Sequence, residues 1–143
     1  MRKYEITDKH TCSDIGVELV ADSLEELYIA GAEGLFFVIC GSSTNAGTKR
    51  LKITLESDDH EQLLIDWLSE LIYYFDTNGY VGTDYSLRIT NTGRHLQLEA
   101  DIDVREFNVE NETAAHEIKA VTYYKLAIEE LNGQFTCHVV FDL

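Results

Sequence analysis

The chain has 143 residues, the usual size of one domain, so residues 1–143 are predicted to form a single domain. It contains 26 Asp and Glu residues against 11 Lys and Arg residues, which gives a formal net charge of −15. Proteins that bind phosphate backbones place Lys and Arg against them, so this balance argues against direct nucleic-acid binding and against docking on an anionic membrane. Divalent cations and basic protein surfaces are the partners that the charge favours.

The sequence carries no sign of secretion or of a membrane span. Its first residues lack the apolar run of a signal peptide, and no segment approaches the roughly 20 apolar residues that cross a bilayer. The 3 cysteines are widely spaced, without a Cys-x-x-Cys pair, which is typical neither of a disulfide framework nor of a thiolate zinc site. A reducing cytoplasm is therefore the expected compartment.

The first third of the chain predicts two strands and a helix. Residues 4–7 form a short candidate strand, and apolar residues alternate with others over residues 15–20, the period of a second strand. Ser23 is predicted to begin a helix, because Glu26 three residues later completes a capping box before an apolar run. This helix is expected to end at Gly41.

A further strand and a second helix follow. Alternation over residues 51–55 predicts a half-buried strand, and either Ser57 or Asp58 is predicted to cap the helix after it. Apolar residues at helical spacing form its predicted buried stripe, which consists of Leu64, Trp67, Leu68, Leu71, Ile72 and Phe75.

The second half of the chain is predicted to be strands. Residues 85–89 and 96–104 alternate and are joined by a polar turn, and residues 118–128 alternate with high β-branched and aromatic content. Asn132-Gly133 is a strong hairpin signal before a last strand at residues 135–141. Together the elements predict an α+β fold: a two-layer single domain in which two long helices pack on one face of a mixed β-sheet of about six to seven strands.

The carboxyl terminus is the least ordinary feature. The last predicted strand runs almost directly into Asp142 and Leu143, so a side-chain carboxylate and the terminal carboxylate would lie side by side on an ordered element. Hard oxygen ligands of this kind suit Mg²⁺, Mn²⁺ or Ca²⁺, provided that a third group joins them. The polar loop that contains His10 and precedes Asp14 is the natural partner, although a chain that simply ends in an exposed acid is the alternative.

Signatures of catalysis are missing from the sequence. There is no Gly-rich phosphate loop, no Gly-x-Ser-x-Gly elbow and no paired Cys/His nucleophile, and the 5 histidines show no metal-binding spacing. Lys119 is one of few cations and lies on a predicted strand, where it is either functional or a salt-bridged surface lysine. The chain is thus more typical of a binding or activating module than of an enzyme.

Several stretches resemble motifs of the archease family, in the family's order and over nearly the whole chain. They are His10-Thr11 with Asp14-Ile15-Gly16, residues 66–73 (Asp-Trp-Leu-Ser-Glu-Leu-Ile-Tyr), residues 117–123 (Glu-Ile-Lys-Ala-Val-Thr-Tyr) and residues 139–143 (Val-Val-Phe-Asp-Leu). Between Thr11 and Asp14 the chain has two residues, where the family pattern has one.

The resemblance implies an archease-like fold and a cytosolic protein that activates an RtcB-type RNA ligase. Such a ligase joins RNA ends that carry a 2′,3′-cyclic phosphate or 3′-phosphate to 5′-hydroxyl ends in tRNA splicing and RNA repair. The activator is expected to promote guanylylation of the ligase and so to allow multiple turnover. A chaperone-like or scaffolding protein without a dedicated ligase partner is the alternative, and a metal-dependent hydrolase is disfavoured because no nucleophile or base accompanies the acidic residues.

The resemblance also implies site residues. Asp14, Asp142 and Leu143 correspond to the family's ligands for a divalent metal ion, which here would be Ca²⁺, Mg²⁺ or Mn²⁺. The motif residues expected to support the site or ligase activation are His10, Glu70 and Lys119.

Overall fold

The computed structural model describes residues 1–7, 13–41 and 46–143. Over these residues the chain forms β1 (Arg2–Ile6), β2 (Asp14–Ala21), α1 (Leu24–Cys40), β3 (Lys49–Ser57), α2 (His60–Asn78), β4 (Tyr80–Asn91), β5 (Leu96–Glu106), β6 (Ala120–Thr122), β7 (Ile128–Leu131) and β8 (Gln134–Asp142).

The strands form two antiparallel sheets. One has the order β1-β2-β8-β6, with β7 also paired to β8, and the other has the order β3-β5-β4. The predicted α+β class with two long helices is confirmed. The strands are divided between two sheets, however, where the sequence suggested one mixed sheet.

The division into two sheets follows from the burial of the helices. Residues on every side of α1 are buried, and α1 packs against β1, β2 and β8 of one sheet and β4 of the other. In the same way α2 contacts β6 of the first sheet and all three strands of the second. A helix that is apolar all round needs apolar cover on more than one side, which a single sheet does not supply.

The two helices are joined to each other by a buried hydrogen bond. Trp67 is fully buried, and its indole N–H donates to the carbonyl oxygen of Tyr28 at 2.9 Å. Buried polar groups are stable only when they are paired, so this bond sets the relative position of α1 and α2 as well as filling the core.

The predicted start of α1 is confirmed, and that of α2 is shifted. Ser23 Oγ accepts a hydrogen bond from the Glu26 N–H at 3.1 Å. The cap of α2 is Asp59, whose carboxylate accepts from the Gln62 N–H at 2.7 Å. The prediction of a cap at Ser57 or Asp58 was wrong because Ser57 is still part of β3.

The predicted strand over residues 118–128 is interrupted. Only Ala120–Thr122 pairs as β6, and β7 begins at Ile128, with a turn between them in which Lys125 has a positive φ of 52°. Contacts with α2 hold this turn, since the Ile128 N–H donates to the carboxylate of Glu61 at 3.1 Å. The sequence does alternate over residues 118–128, but tertiary hydrogen bonds determine the local conformation and interrupt the strand.

The predicted hairpin at Asn132-Gly133 is confirmed. Leu131 pairs with Gln134 across it, and the two turn residues have φ values of 55° and 78°. Positive φ at both central residues is the backbone of the tight turns that suit the twist of a β-hairpin. Within the described residues, no helix is both long and apolar enough to cross a membrane.

Candidate metal centre

Two aspartates from distant parts of the sequence face each other at the end of the first sheet. The antiparallel register of β2 and β8 sets Asp14 directly opposite Asp142. The N–H of Leu143 donates to the carbonyl oxygen of Ser13 at 2.7 Å. This bond, one residue beyond the aspartates, makes them a non-hydrogen-bonded pair, in which Cα atoms lie about 4.5 Å apart and side chains are closest.

Strand alternation determines which way the pair points. The neighbours Ile15 and Phe141 are buried in the core, so the adjacent residues Asp14 and Asp142 lie on the outer face of the sheet. The carboxylates therefore share one surface. The convergence of Asp14 with the chain end, which the sequence suggested, is what the register produces.

One carboxylate oxygen of the pair is buried without a hydrogen bond to any residue that the structure describes. Asp14 Oδ1 is inaccessible to solvent and has no hydrogen-bond partner among the described residues. A buried oxygen of this kind carries a desolvation cost that a bound cation would remove. The oxygen-only donor set of Asp14 and Asp142 suits a hard divalent cation.

The pair needs a further donor to hold a cation. The described part of the chain contains no group of three or more His, Cys, Asp and Glu side chains arranged to bind a metal. The carboxylate expected at Leu143 is a third oxygen donor of another kind. Leu143 is half-buried, and its side chain packs against the core. The backbone beyond Asp142 therefore lies beside Ser13.

Backbone bonds hold Asp142 from its other side. The Lys119 N–H donates to the Asp142 carbonyl oxygen at 2.7 Å, and Ala120 pairs with Asp142 as β6 joins the sheet. Lys119 thus neighbours the aspartate pair through its backbone while its side chain is exposed. Of the other predicted residues, Glu70 is half-buried on α2, which packs against β6, and His10 lies outside the described residues.

A histidine that the sequence did not single out lies on the same face. His138 is two strand positions from Val140 and four from Asp142, and its Nδ1 lies 3.1 Å from a carboxylate oxygen of Glu18. A methyl group at Gly16 would lie 2.9 Å from Cε1 of the His138 ring. A side chain at Gly16 would therefore force its neighbours to shift. Period-two spacing from Asp142 was the signal that could have identified His138.

A cavity opens beside the carboxylate pair. Its volume is about 540 Å³, and its walls are formed by Asp14, Tyr124, Lys125, His138 and Val140. The turn between β6 and β7 contributes Tyr124 and Lys125, so the interruption of the predicted strand is what shapes this side of the site.

Fold and site define a class: small α+β proteins with two helices packed against antiparallel sheets and an aspartate pair at the end of the last strand. The model of the Archease protein family (MTH1598/TM1083) matches residues 4–143. The chain belongs to the archease family, and the resemblance seen in its motifs is confirmed.

Relatives and solved structures agree with this assignment. Protein archease of Thermococcus kodakarensis is 35% identical over 144 residues and that of Pyrococcus abyssi is 32% identical over 144 residues, each alignment covering 100% of both chains. The solution structure of Methanobacterium thermoautotrophicum protein 1598 is similar with a TM-score of 0.85 and 26% identity over 98% of both chains. The crystal structure of a Thermotoga maritima protein, described as an archease and possible chaperone, has a TM-score of 0.63 at 23% identity over 96% of both chains, a likeness of fold.

Proposed function

We propose that this protein is a non-catalytic activator of an RtcB-type RNA ligase, acting in the cytoplasm in tRNA splicing and RNA repair. It promotes guanylylation of the ligase and so supports multiple turnover. Membership of the archease family supports the proposal. The structural observation that carries it is the register that sets Asp14 against Asp142, with one oxygen of Asp14 lacking a hydrogen-bond partner in the described part of the chain.

The aspartate pair is proposed to bind a divalent metal ion, Ca²⁺, Mg²⁺ or Mn²⁺. Asp14, Asp142 and the terminal carboxylate of Leu143 supply the oxygen donors. When bound, the ion provides a positive charge that attracts phosphate oxygens. The chain's own contribution is positional, because the Leu143–Ser13 and Lys119–Asp142 backbone bonds prevent the strand end from fraying.

The partner is proposed to be the ligase itself and not RNA. A protein with a net charge of −15 repels a polyanion, but it complements the basic surface that an RNA ligase needs for its substrate. Association between opposite charges slows as salt rises. Stimulation of the ligase is therefore expected to weaken with ionic strength when metal is kept saturating.

The test is multiple-turnover ligation by the cognate ligase, with the ligase limiting, in the presence and absence of this protein. Stimulation is expected with the wild type and is expected to be lost in Asp14→Ala and Asp142→Ala. Glu99→Ala is the matched control, since Glu99 is an exposed acid on β5 of the other sheet. This variant should stimulate the ligase as well as the wild type does. An unchanged turnover number with wild-type protein would refute the proposal.

The chaperone alternative predicts a different result. The Thermotoga maritima structure is described as a possible chaperone, and a general chaperone would suppress heat-induced aggregation of unrelated proteins. Light scattering of such a protein should therefore fall in the presence of the Asp14→Ala, Asp142→Ala double variant as much as with the wild type. Under the ligase hypothesis no such suppression is expected.

A further inference from the structure

The second sheet leaves the whole of β3 without a partner strand on one side. Among the described residues β3 pairs with β5 alone, and all 9 of its residues are paired without a register shift, from Lys49 opposite Val104 to Ser57 opposite Leu96. A long edge strand presents a row of backbone N–H and C=O groups that another strand can bind. The outer edge of β3 is therefore a candidate interaction surface.

The other outer strands are protected against such pairing. The strands β1, β6 and β7 are short, with 5, 3 and 4 residues. The strand β4 is long, but its register with β5 shifts between Gly82 and Asp84, and the Ile89 N–H donates to the carboxylate of Glu25 at 3.4 Å. Short length, bulges and covering groups are the usual means of protecting an edge strand. Within the described ranges β3 has none of these three.

The charges of β3 are separated along its length. Arg50 and Lys52 lie in its first half and Glu56 near its end, and all three are exposed. Charges on an edge strand repel a second strand unless that strand offers opposite charges at the matching positions. A second, antiparallel copy of β3 centred on Ile53 meets this condition, because it sets Arg50 opposite Glu56 of the copy and Lys52 opposite Thr54.

Other registers that keep the two faces matched are less favourable. A shift of two residues in one direction sets Lys52 opposite Lys52 of the copy, and like charges directly opposite destabilise a strand pair. A shift of two residues in the other direction leaves Lys49 and Arg50 beyond the end of the partner strand. The register centred on Ile53 is the one that pairs all 9 residues of the strand.

Both faces of β3 match this register. On the inner face Leu51 and Leu55 are half-buried, and the register brings Leu51 beside Leu55 of the copy, so pairing covers apolar surface that the edge leaves open. On the outer face Arg50 already contacts Asp103 of β5 at 3.2 Å. A row of alternating charge, from Asp103 through Arg50 to Glu56 of the copy, would therefore cross the interface.

We propose that β3 is the interface of a two-fold symmetric homodimer, in which two three-stranded sheets join into one continuous antiparallel sheet. A two-fold interface requires a self-complementary surface of this kind. Three of the 11 cations of the chain, Lys49, Arg50 and Lys52, lie on β3, so two molecules with a net charge of −15 repel each other least at this strand. The aspartate pair lies on the other sheet, and the dimer does not depend on the proposed ligase role.

Sedimentation equilibrium of the purified protein over a wide range of concentration tests this proposal. The wild type is expected to pass from monomer to dimer as its concentration rises. Arg50→Glu and Glu56→Arg should each weaken the dimer dissociation constant about 10-fold, because symmetry sets like charges opposite each other twice. Arg88→Glu is the matched control, since Arg88 is an exposed cation on β4 at the opposite edge of the same sheet. Its dissociation constant should equal that of the wild type.

A mixture of the two weakened variants provides the sharpest test. When one Arg50→Glu chain pairs with one Glu56→Arg chain, opposite charges again face each other at both contacts. The equimolar mixture should therefore dimerise about as tightly as the wild type, a recovery that misfolding of either variant cannot produce. A wild type that stays monomeric at every concentration, a mixture that does not recover, or an equal effect of Arg88→Glu would overturn the proposal.

Discussion

The substitution Asp14→Asn separates the structural cost of the aspartate pair from its use. Asp14 and Asp142 are directly opposed in a non-hydrogen-bonded pair, and like charges in that position destabilise a sheet. Asparagine has nearly the same shape, removes one of the two charges and brings an amide that can donate to Asp142. Without metal, the variant is therefore expected to be more stable than the wild type.

The size of this effect follows from the register. Opposed side chains have Cβ atoms about 5 Å apart, and two charges at that distance repel by about 0.8 kcal/mol in bulk water and about 3 kcal/mol at a dielectric constant of 20. Asp142 is exposed, so a value of about 1 kcal/mol is expected. A chain of 143 residues has an unfolding entropy of about 0.3 kcal/mol/K, which converts this into a rise in Tm of about 3 °C.

Added metal should reverse the order of the two proteins. A divalent ion at 100 times its dissociation constant stabilises the wild type by about 2.7 kcal/mol, or about 9 °C, whereas Asp14→Asn should respond little. Thermal unfolding followed by circular dichroism, with chelator and then with Ca²⁺, Mg²⁺ or Mn²⁺, measures both effects. Glu99→Gln, on the other sheet, should keep the full response to metal. A lower Tm of Asp14→Asn in chelator, or a wild-type response to metal in that variant, would refute the reasoning.

Three further changes test other contacts of the site and fold. A Gly-Ser tail after Leu143 removes the terminal carboxylate and should weaken divalent-metal binding about 10-fold by calorimetry, while the same tail at the amino terminus should have no effect; equal affinities would exclude that carboxylate as a ligand. Gly16→Ala places a methyl group 2.9 Å from His138 Cε1 and should lower the free energy of unfolding in urea by about 1–3 kcal/mol, a value that an unchanged midpoint would contradict. Glu112→Gln leaves the Arg105 guanidinium, 7% exposed and bonded at 2.8 Å, without its charge partner, at a cost of about 3 kcal/mol. Because Arg105 holds the pKa of Glu112 below its usual value, wild-type stability from this pair is complete above about pH 4.3 and is lost as pH falls through the lower folded pKa; Glu112→Gln should lack that part of the acid dependence.

Local chemistry explains which elements were predictable. The cap at Ser23 and the hairpin at Asn132-Gly133 depend on bonds between residues at most three apart, so their sequences determine them. The predicted cap of α2 was wrong because Ser57 is the last residue of β3 and pairs with Leu96 of β5. Leu96 is 39 positions away in the sequence, so no local pattern reveals this contact. The break after Thr122 has the same origin, since contacts with α2 hold the turn there.

The site was only partly predictable, for a related reason. Asp142 could be singled out from its place after a strand, and Asp14 was named as its partner from the neighbouring polar loop and the family resemblance. The antiparallel register that sets the two residues opposite each other is a tertiary property. Lys125 was hidden because the alternating pattern placed it in the middle of a strand, whereas the observed turn brings it to the cavity. Gly16 is on β2 and the His138 ring that lies against it is on β8, so neither residue alone indicates the contact.

The geometry of the chain end bears on the choice that the sequence left open, between an exposed acid and a metal ligand. Two opposed carboxylates at the end of a strand would separate if that end frayed, as chain ends commonly do. Here the carbonyl of Asp142 accepts from the Lys119 N–H, and the N–H of Leu143 donates to Ser13. These bonds hold the charges together against their own repulsion, and one oxygen of Asp14 is buried without a hydrogen-bond partner among the described residues. An arrangement that is unfavourable when empty and favourable around a cation is expected of a ligand pair, which supports the proposed metal site over an incidental acidic terminus.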